Sequence, residues 1–153
     1  MADIWFLHSK TYLGDALVLA FALTSLIVHR VNLKSLAPPV LLALAVFPIP
    51  GGAYLSWCLL QQVLLQHLIY LRVRSTLGPT WTASILTGAL FAIAHLPNPV
   101  LVPATFVWGI VSTRIFERHT SIIVLGVAQT LLSGMLLWLT PLALNHRFRV
   151  GPG

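Results

Sequence analysis

The segment WCLLQQVLLQHLIYLRVR, residues Trp57 to Arg74, begins as an apolar run and then carries three glutamines. Gln61 and Gln62 are adjacent, and Gln66 follows one helical turn later. A polar group in hydrocarbon needs a hydrogen-bond partner, because leaving it unsatisfied costs on the order of several kcal/mol. The segment therefore predicts a helix whose amides face other polar groups inside a bundle, and it raises the question of what those groups are.

The composition of the chain indicates a membrane protein. Of its 153 residues, 58% are hydrophobic and 8% are charged, and the mean hydropathy is +0.90. A soluble domain carries about 25% charged residues. The net charge of +6 comes from basic residues scattered between apolar runs, which is typical of membrane loops and not of a nucleic-acid surface. We therefore expect residues 1–153 to form a single integral membrane domain whose partner is the lipid bilayer, with no nucleic acid.

Six apolar runs predict an all-α fold, a polytopic membrane bundle with about six transmembrane helices, because a helix satisfies its own backbone in lipid. The second run holds four prolines and is predicted to be kinked or shallow. No cleavage site follows the first run, so we expect it to be retained as a span. The runs are Tyr12–Val28, Leu36–Pro50, Ala53–Leu71, Trp81–His95, Val100–Thr113 and Ser121–Thr140.

Basic residues alternate with uncharged turns along the chain. They follow the first, third and fifth runs, at Arg30–Lys34, Arg72–Arg74 and Arg114–Arg118. By the positive-inside rule these three loops are cytoplasmic and both termini lie outside. Arg147 and Arg149 in the tail oppose this orientation, but a tail is a weaker determinant than three loops. The expected location is a multi-pass position in a bacterial inner membrane.

Polar side chains form one stripe on each of three runs. On a helical wheel the three glutamines share one arc, while His67 falls outside it. In the fourth run Phe91 and His95 are four residues apart, and in the sixth run Gln129 and Ser133 are four apart. Interhelical hydrogen bonding alone explains each stripe. Because polar residues in membranes usually face a bundle interior, we expect the three stripes to share one cavity.

The order of these motifs resembles that of a known family. Intramembrane proteases of the CAAX-protease and bacteriocin-processing (CPBP/Abi) family carry a Glu-Glu pair with an arginine four residues after the second glutamate. Phe-x-x-x-His and then His-x-x-x-Asn follow on later helices. Here QQVLLQ at 61–66, FAIAH at 91–95 and QTLLS at 129–133 occupy the same order. The similarity covers about residues 55–137 and implies a membrane helix bundle built for peptide hydrolysis.

The chain departs from the family pattern at most of the polar positions. Glutamine stands in place of both glutamates, the arginine and the second histidine, and Ser133 stands in place of the asparagine. A glutamine amide does not titrate, so it cannot act as a general base. The acidic residues of the chain are Asp3, Asp15 and Glu117, and none lies within the predicted cavity. The resemblance places the family's catalytic positions at Gln61, Gln62, His95 and Gln129.

Three functions remain open from the sequence. The first is a non-catalytic scaffold, binding protein or complex subunit that holds another membrane protein. The alternative is a divergent intramembrane protease or hydrolase in which His95 is the base and Ser84, Thr87 or Ser133 is the nucleophile. In the third, His95 or His67 ligates a haem or pigment. We expect no cofactor and no metal, because no pair of histidines lies four apart on one helix and too few ligands converge.

Overall fold

The computed structural model describes residues 33–49 and 52–141. Within these ranges it is helical and contains no strand, which confirms the all-α fold; the first predicted run, Tyr12–Val28, lies outside them. A π-helical segment, Leu64–Tyr70, joins the second helix to the third. The helices are α1 (Leu33–Val46), α2 (Gly52–Val63), α3 (Leu71–Leu77), α4 (Trp81–Ile93), α5 (Leu101–His119) and α6 (Ile122–Leu139).

The bundle is organised around one continuous helical rod. This rod, Gly52–Leu77, consists of α2, the π-helical segment and α3, and its backbone stays helical at both junctions. Its first half packs mainly against α1 and α6, and its second half packs mainly against α4 and α5. The glutamines of the rod are therefore placed where the other helices converge.

The π-helical segment changes which side chains the rod buries. A π-helix forms i→i+5 hydrogen bonds and usually extends for a single turn, whereas here it covers seven residues. The wider turn rotates successive side chains through a smaller angle than an α-turn does. The four consecutive residues 65–68 are all buried, and the wheel drawn for a regular α-helix does not apply to this segment.

Local signals in the sequence set the ends of the helices. Gly78, at φ 72°, ends α3 in the left-handed region that glycine tolerates. The Thr80 side chain accepts a hydrogen bond from the Ala83 amide at 3.2 Å and caps α4. Ser121 caps α6 in the same way. The sequence predicted α4 and α6 to within two residues, but α5 continues to His119, past the predicted end at Thr113.

Two glycines bring α4 and α5 into backbone contact. A Cβ atom at Gly109 would lie 2.6 Å from the Cα atom of Gly88, and one at Gly88 would lie 2.7 Å from the Phe106 carbonyl oxygen. Real Cβ atoms do not approach so closely. The two helices can cross at this distance only because both positions lack a side chain.

A tight contact also joins α6 to the rod. A Cβ atom at Gly126 would lie 2.6 Å from Cδ2 of Leu59, which is fully buried. The rod also contacts α1, where the Ser56 hydroxyl donates to the Ala43 carbonyl at 2.7 Å. These contacts fix the position of α2 between α1 and α6.

In the described part of the chain, α6 is the one helix that is long and apolar enough to cross a membrane by itself. Its mean hydropathy is 2.1, and 22% of its residues are buried. Leu36–Val46 and Trp81–Ile93 are shorter apolar helices. The number of spans therefore stays a prediction.

Candidate functional site

Hydrogen bonds between glutamines join α2 to α6. The Gln62 amide nitrogen donates to Oε1 of Gln129 at 2.6 Å, and the Gln129 amide nitrogen donates to Oε1 of Gln61 at 2.6 Å. Gln62 is fully buried, and Gln129 is nearly so. Gln129 is therefore one of the partners that the glutamines of the rod required.

Gln66 extends this chain of amides to a third helix. Its Nε2 donates to Oε1 of Gln62 at 3.0 Å and lies 3.2 Å from Oγ of Ser112 on α5. The amide network, by which we mean Gln61, Gln62, Gln66 and Gln129, thus connects α6, the rod and α5 through neutral groups.

Two residues of α5 complete the network, and neither was predicted from the sequence. Trp108 donates its indole N–H to Oε1 of Gln129 at 3.1 Å, so this oxygen accepts two hydrogen bonds. Ser112 lies four residues after Trp108 and therefore on the same face of α5. That four-residue spacing of polar groups within an apolar run was the signal that could have identified them.

One acceptor of the network has no partner among the described residues. Oε1 of Gln66 is buried and accepts no hydrogen bond there, while the Nε2 atom of the same amide is engaged twice. A buried unsatisfied acceptor costs about 1–3 kcal/mol. The network can therefore take one further donor at this oxygen.

His95 lies in the turn after α4, and its ring is held by Phe91. Nδ1 of His95 is 2.7 Å from the Phe91 carbonyl oxygen, and the two rings meet edge to face with centroids 4.7 Å apart. A carbonyl only accepts, so Nδ1 carries the proton in this contact. In the neutral ring Nε2 then keeps a lone pair and can accept a proton.

Asn98 determines how the chain continues from His95 into α5. Its Oδ1 accepts hydrogen bonds from the backbone amides of Val100 at 3.0 Å and Leu101 at 2.9 Å. The Leu101 amide is the first N–H group of α5 and the Val100 amide directly precedes it, so neither has a partner within the helix. Asn98 is therefore a capping residue that fixes the turn carrying His95.

The structure brings together only some of the predicted site residues. Gln61, Gln62 and Gln129 contact one another, whereas within the described ranges the side chain of His95 bonds to its own helix and to none of the amides. The candidate nucleophiles on α4 also bond to their own helix: Thr87 donates to the Ala83 carbonyl at 2.8 Å, and Ser84 donates to the Thr80 carbonyl at 3.5 Å. The assignment of catalytic roles stays a prediction.

His67 packs against α5. It is buried, and its ring meets the Phe116 ring of α5 edge to face, with centroids 5.6 Å apart. The neighbouring Gln66 contacts the same helix through Ser112. Both residues therefore contact α5, although the helical wheel placed them on different faces.

The acidic residue in the described part of the chain lies in an ion-pair cluster outside the amide network. Oε1 of Glu117 is 3.3 Å from Nε of Arg74, and Oε2 is 2.9 Å from Nη1 of Arg114. The basic segments 72–74 and 114–118, which were predicted to be loops, lie on α3 and α5. They lie at the same end of the bundle, as the charge alternation requires. The other two acidic residues, Asp3 and Asp15, lie outside the described residues.

Potential metal ligands do not converge in the described ranges. Residues 33–49 and 52–141 contain no group of three or more His, Cys, Asp or Glu side chains that could hold a metal ion. Cys58 is buried and is not in a disulfide bond. The chemistry available in the network is thus that of neutral amides, hydroxyls and an indole N–H.

Comparison with known proteins identifies a family. A family model described as "Type II CAAX prenyl endopeptidase Rce1-like" matches residues 38–135, which is more than half of the chain. The matched region runs from α1 into α6 and contains the whole amide network and His95. No curated protein and no solved structure matches the chain.

Proposed function

The chain belongs to the type II CAAX prenyl endopeptidase Rce1-like family, and from that premise we propose that it is a membrane-embedded member without peptidase activity that acts by binding another membrane protein. The observation that carries this proposal is the bond between Gln62 and Gln129 at 2.6 Å. The two positions that would hold a catalytic glutamate and a catalytic histidine in the family pattern are here joined as neutral amides.

Peptide hydrolysis by water requires a group that accepts a proton. Such a base must lie about 2.6–3.2 Å from the atom that carries the proton, or reach it through one water. The amides of Gln61, Gln62 and Gln129 cannot take up a proton at neutral pH, and their hydrogen bonds are directed to each other. The network is therefore suited to holding helices together and not to activating water.

A binding role is supported by the outward face of α6. One side of this helix carries Gln129 into the network, while Leu131, Met135 and Trp138 point outward, with Trp138 87% exposed. A membrane protein that packs along α6 would cover this apolar surface. We propose this face as the place where the partner binds.

The second candidate function is hydrolysis with His95 as the base, and one observation favours it. The contact between Nδ1 and the Phe91 carbonyl holds the ring and leaves Nε2 available, as a catalytic histidine requires. The described hydroxyls of α4 do not complete such a site, because Ser84 and Thr87 donate to carbonyls of α4 and of its N-cap. This candidate would need substrate binding to bring a nucleophile or water to Nε2.

The two candidates differ in a cleavage assay. Purified protein in liposomes is incubated with prenylated CAAX peptides and with a library of membrane-anchored peptides, and products are counted by mass spectrometry. We expect the unmodified protein and His95→Ala to give the same background. Cleavage that the unmodified protein performs and His95→Ala abolishes would refute the proposal and establish the hydrolase.

The proposed binding face is tested by photo-crosslinking in native membranes. A photoreactive amino acid at Met135, which points outward, should give protein adducts, while the same group at the buried Leu125 should give none. Adducts at position 135 that contain lipid alone would refute a protein partner on this face.

A further inference from the structure

A groove separate from the amide network lies between the start of α4 and the end of α5. Its volume is about 280 Å³. It has an apolar wall and a cationic rim, so it fits a ligand that has an apolar part and an anionic part. The residues of the wall and the rim that matter here are Ile110, Val111, Ile115, Trp81, Arg114 and Arg118.

The rim keeps positive charge after its ion pairs are counted. Arg114 of the rim shares Glu117 with Arg74, which lies outside the groove, so one carboxylate only partly offsets the charge of Arg114. Arg118 is exposed and forms no ion pair within the described residues. The groove therefore offers an excess of positive charge to an anion.

Trp81 and Arg114 hold each other at the mouth of the groove. The guanidinium carbon of Arg114 lies 4.8 Å from the centroid of the Trp81 ring, and Nη1 is 3.4 Å from the Pro79 carbonyl oxygen. Trp81 is itself 63% exposed. An exposed tryptophan beside arginines is typical of the level at which lipid headgroups meet the hydrocarbon.

We propose that this groove binds an anionic phospholipid. Its phosphate lies between Arg118 and Arg114, and the upper part of one acyl chain lies along Ile110 and Val111. Guanidinium groups bind phosphate oxygens in pairs, and basic pockets between membrane helices bind anionic headgroups. The volume is near the lower end of small-molecule sites, about 300–1,000 Å³, which suits a headgroup with part of one chain.

The apolar wall distinguishes a phospholipid from free phosphate. A hydrated phosphate ion gains nothing from contact with Ile110, Val111 and Ile115. An acyl chain gains stabilisation there, because it packs its apolar surface against these side chains. The proposal therefore commits to a lipid as the occupant.

Native mass spectrometry of the protein in mild detergent tests the site. The protein is mixed with equal amounts of phosphatidylglycerol and phosphatidylcholine that have the same chains. We expect it to retain phosphatidylglycerol preferentially, and Arg118→Gln to lower the bound fraction about fivefold, since one arginine near anionic lipid contributes about that factor. Arg72→Gln is the matched control, because it removes an equal charge from the same end of the bundle without lining the groove.

A second variant tests the wall instead of the charge. Val111→Trp fills the groove and leaves every arginine in place, so it should also lower the retained phosphatidylglycerol. Arg118 is exposed, so the result of Arg118→Gln stands even where Val111→Trp does not fold.

Four results would overturn the proposal. The first is equal retention of the two lipids, and the second is an equal loss of bound lipid in Arg118→Gln and Arg72→Gln. The third is full retention by a folded Val111→Trp variant, and the fourth is displacement of the lipid by millimolar inorganic phosphate. The second would indicate diffuse attraction by the basic end of the bundle, and the fourth would indicate a site for phosphate alone.

Discussion

Two helix contacts in this bundle are built in opposite ways. The rod meets α6 through side chains, with Gln62 and Gln129 bonded at 2.6 Å, whereas α4 meets α5 where side chains are missing, at Gly88 and Gly109. The first contact is held by directional bonds that can be replaced one at a time. The second requires the backbones of the two helices to lie close together, and a single added carbon atom would prevent that approach. The difference shows that the polar contact should tolerate substitution better than the glycine contact.

The largest effect is expected at the glycine contact. In Gly109→Ala the new methyl group would lie 2.6 Å from the Gly88 Cα atom, and backbone cannot move aside as a flexible side chain can. We expect a loss of about 3 kcal/mol in the free energy of unfolding, at the upper end of overpacking effects. Steric trapping in bicelles measures it.

Gly134→Ala is the matched control for this prediction. It adds the same methyl group to a helical glycine where a Cβ atom would have no neighbouring atom within 4 Å among the described residues. Its free energy of unfolding should be unchanged or slightly higher. Equal losses in the two variants would mean that the effect is not due to the approach of α4 and α5.

An intermediate effect is expected at the amide network. Gln129→Leu removes the acceptor of Gln62 and Trp108 and the donor to Gln61. Leaving those groups without partners in the interior should lower the free energy of unfolding by about 2 kcal/mol. The same steric-trapping measurement applies.

Replacing all four glutamines of the network by leucine sharpens this prediction. When both partners of a hydrogen bond become apolar, the net cost can be nearly zero. The quadruple variant should therefore lose less stability than the sum of the four single variants. Simple additivity would mean that the amides contribute separately and do not form a network.

The smallest effect is expected at Trp108. Trp108→Phe keeps an aromatic ring and removes the N–H that donates to Gln129, whose Oε1 still accepts from Gln62. We expect a loss of about 0.6–1 kcal/mol, which is typical of one hydrogen bond in a membrane protein. Trp138→Phe, at an exposed position of α6, should change the stability by less than Trp108→Phe does.

The sequence predicted the polar contact better than the glycine contact for a physical reason. An amide in an apolar run indicates that a hydrogen-bond partner is needed, so Gln61, Gln62 and Gln129 could be paired from the sequence alone. Gly88 and Gly109 carry no such signal, because they act through the Cβ atom that they lack. Which residue each of them contacts depends on how α4 and α5 cross.

The π-helical segment and the position of His95 could not be predicted for a related reason. A wheel assumes one angle per residue, and nothing in LLQHLIY, residues 64–70, signals a wider turn. His95 was expected to share a cavity with the glutamines, but its contact with the Phe91 carbonyl is local. Which side of the membrane the basic segments face is likewise still a prediction.

The bond between Gln66 and Gln62, at 3.0 Å within the rod, has a consequence for biosynthesis. Gln129 is synthesised 67 residues after Gln62, so the rod enters the bilayer before its main partner exists. During that interval the i,i+4 pair lets one amide of the rod satisfy another, which lowers the cost of leaving a polar group in hydrocarbon. The rod thus carries a partner of its own during insertion, and it keeps this bond when Nε2 of Gln62 gains Oε1 of Gln129 as an acceptor after α6 has been inserted.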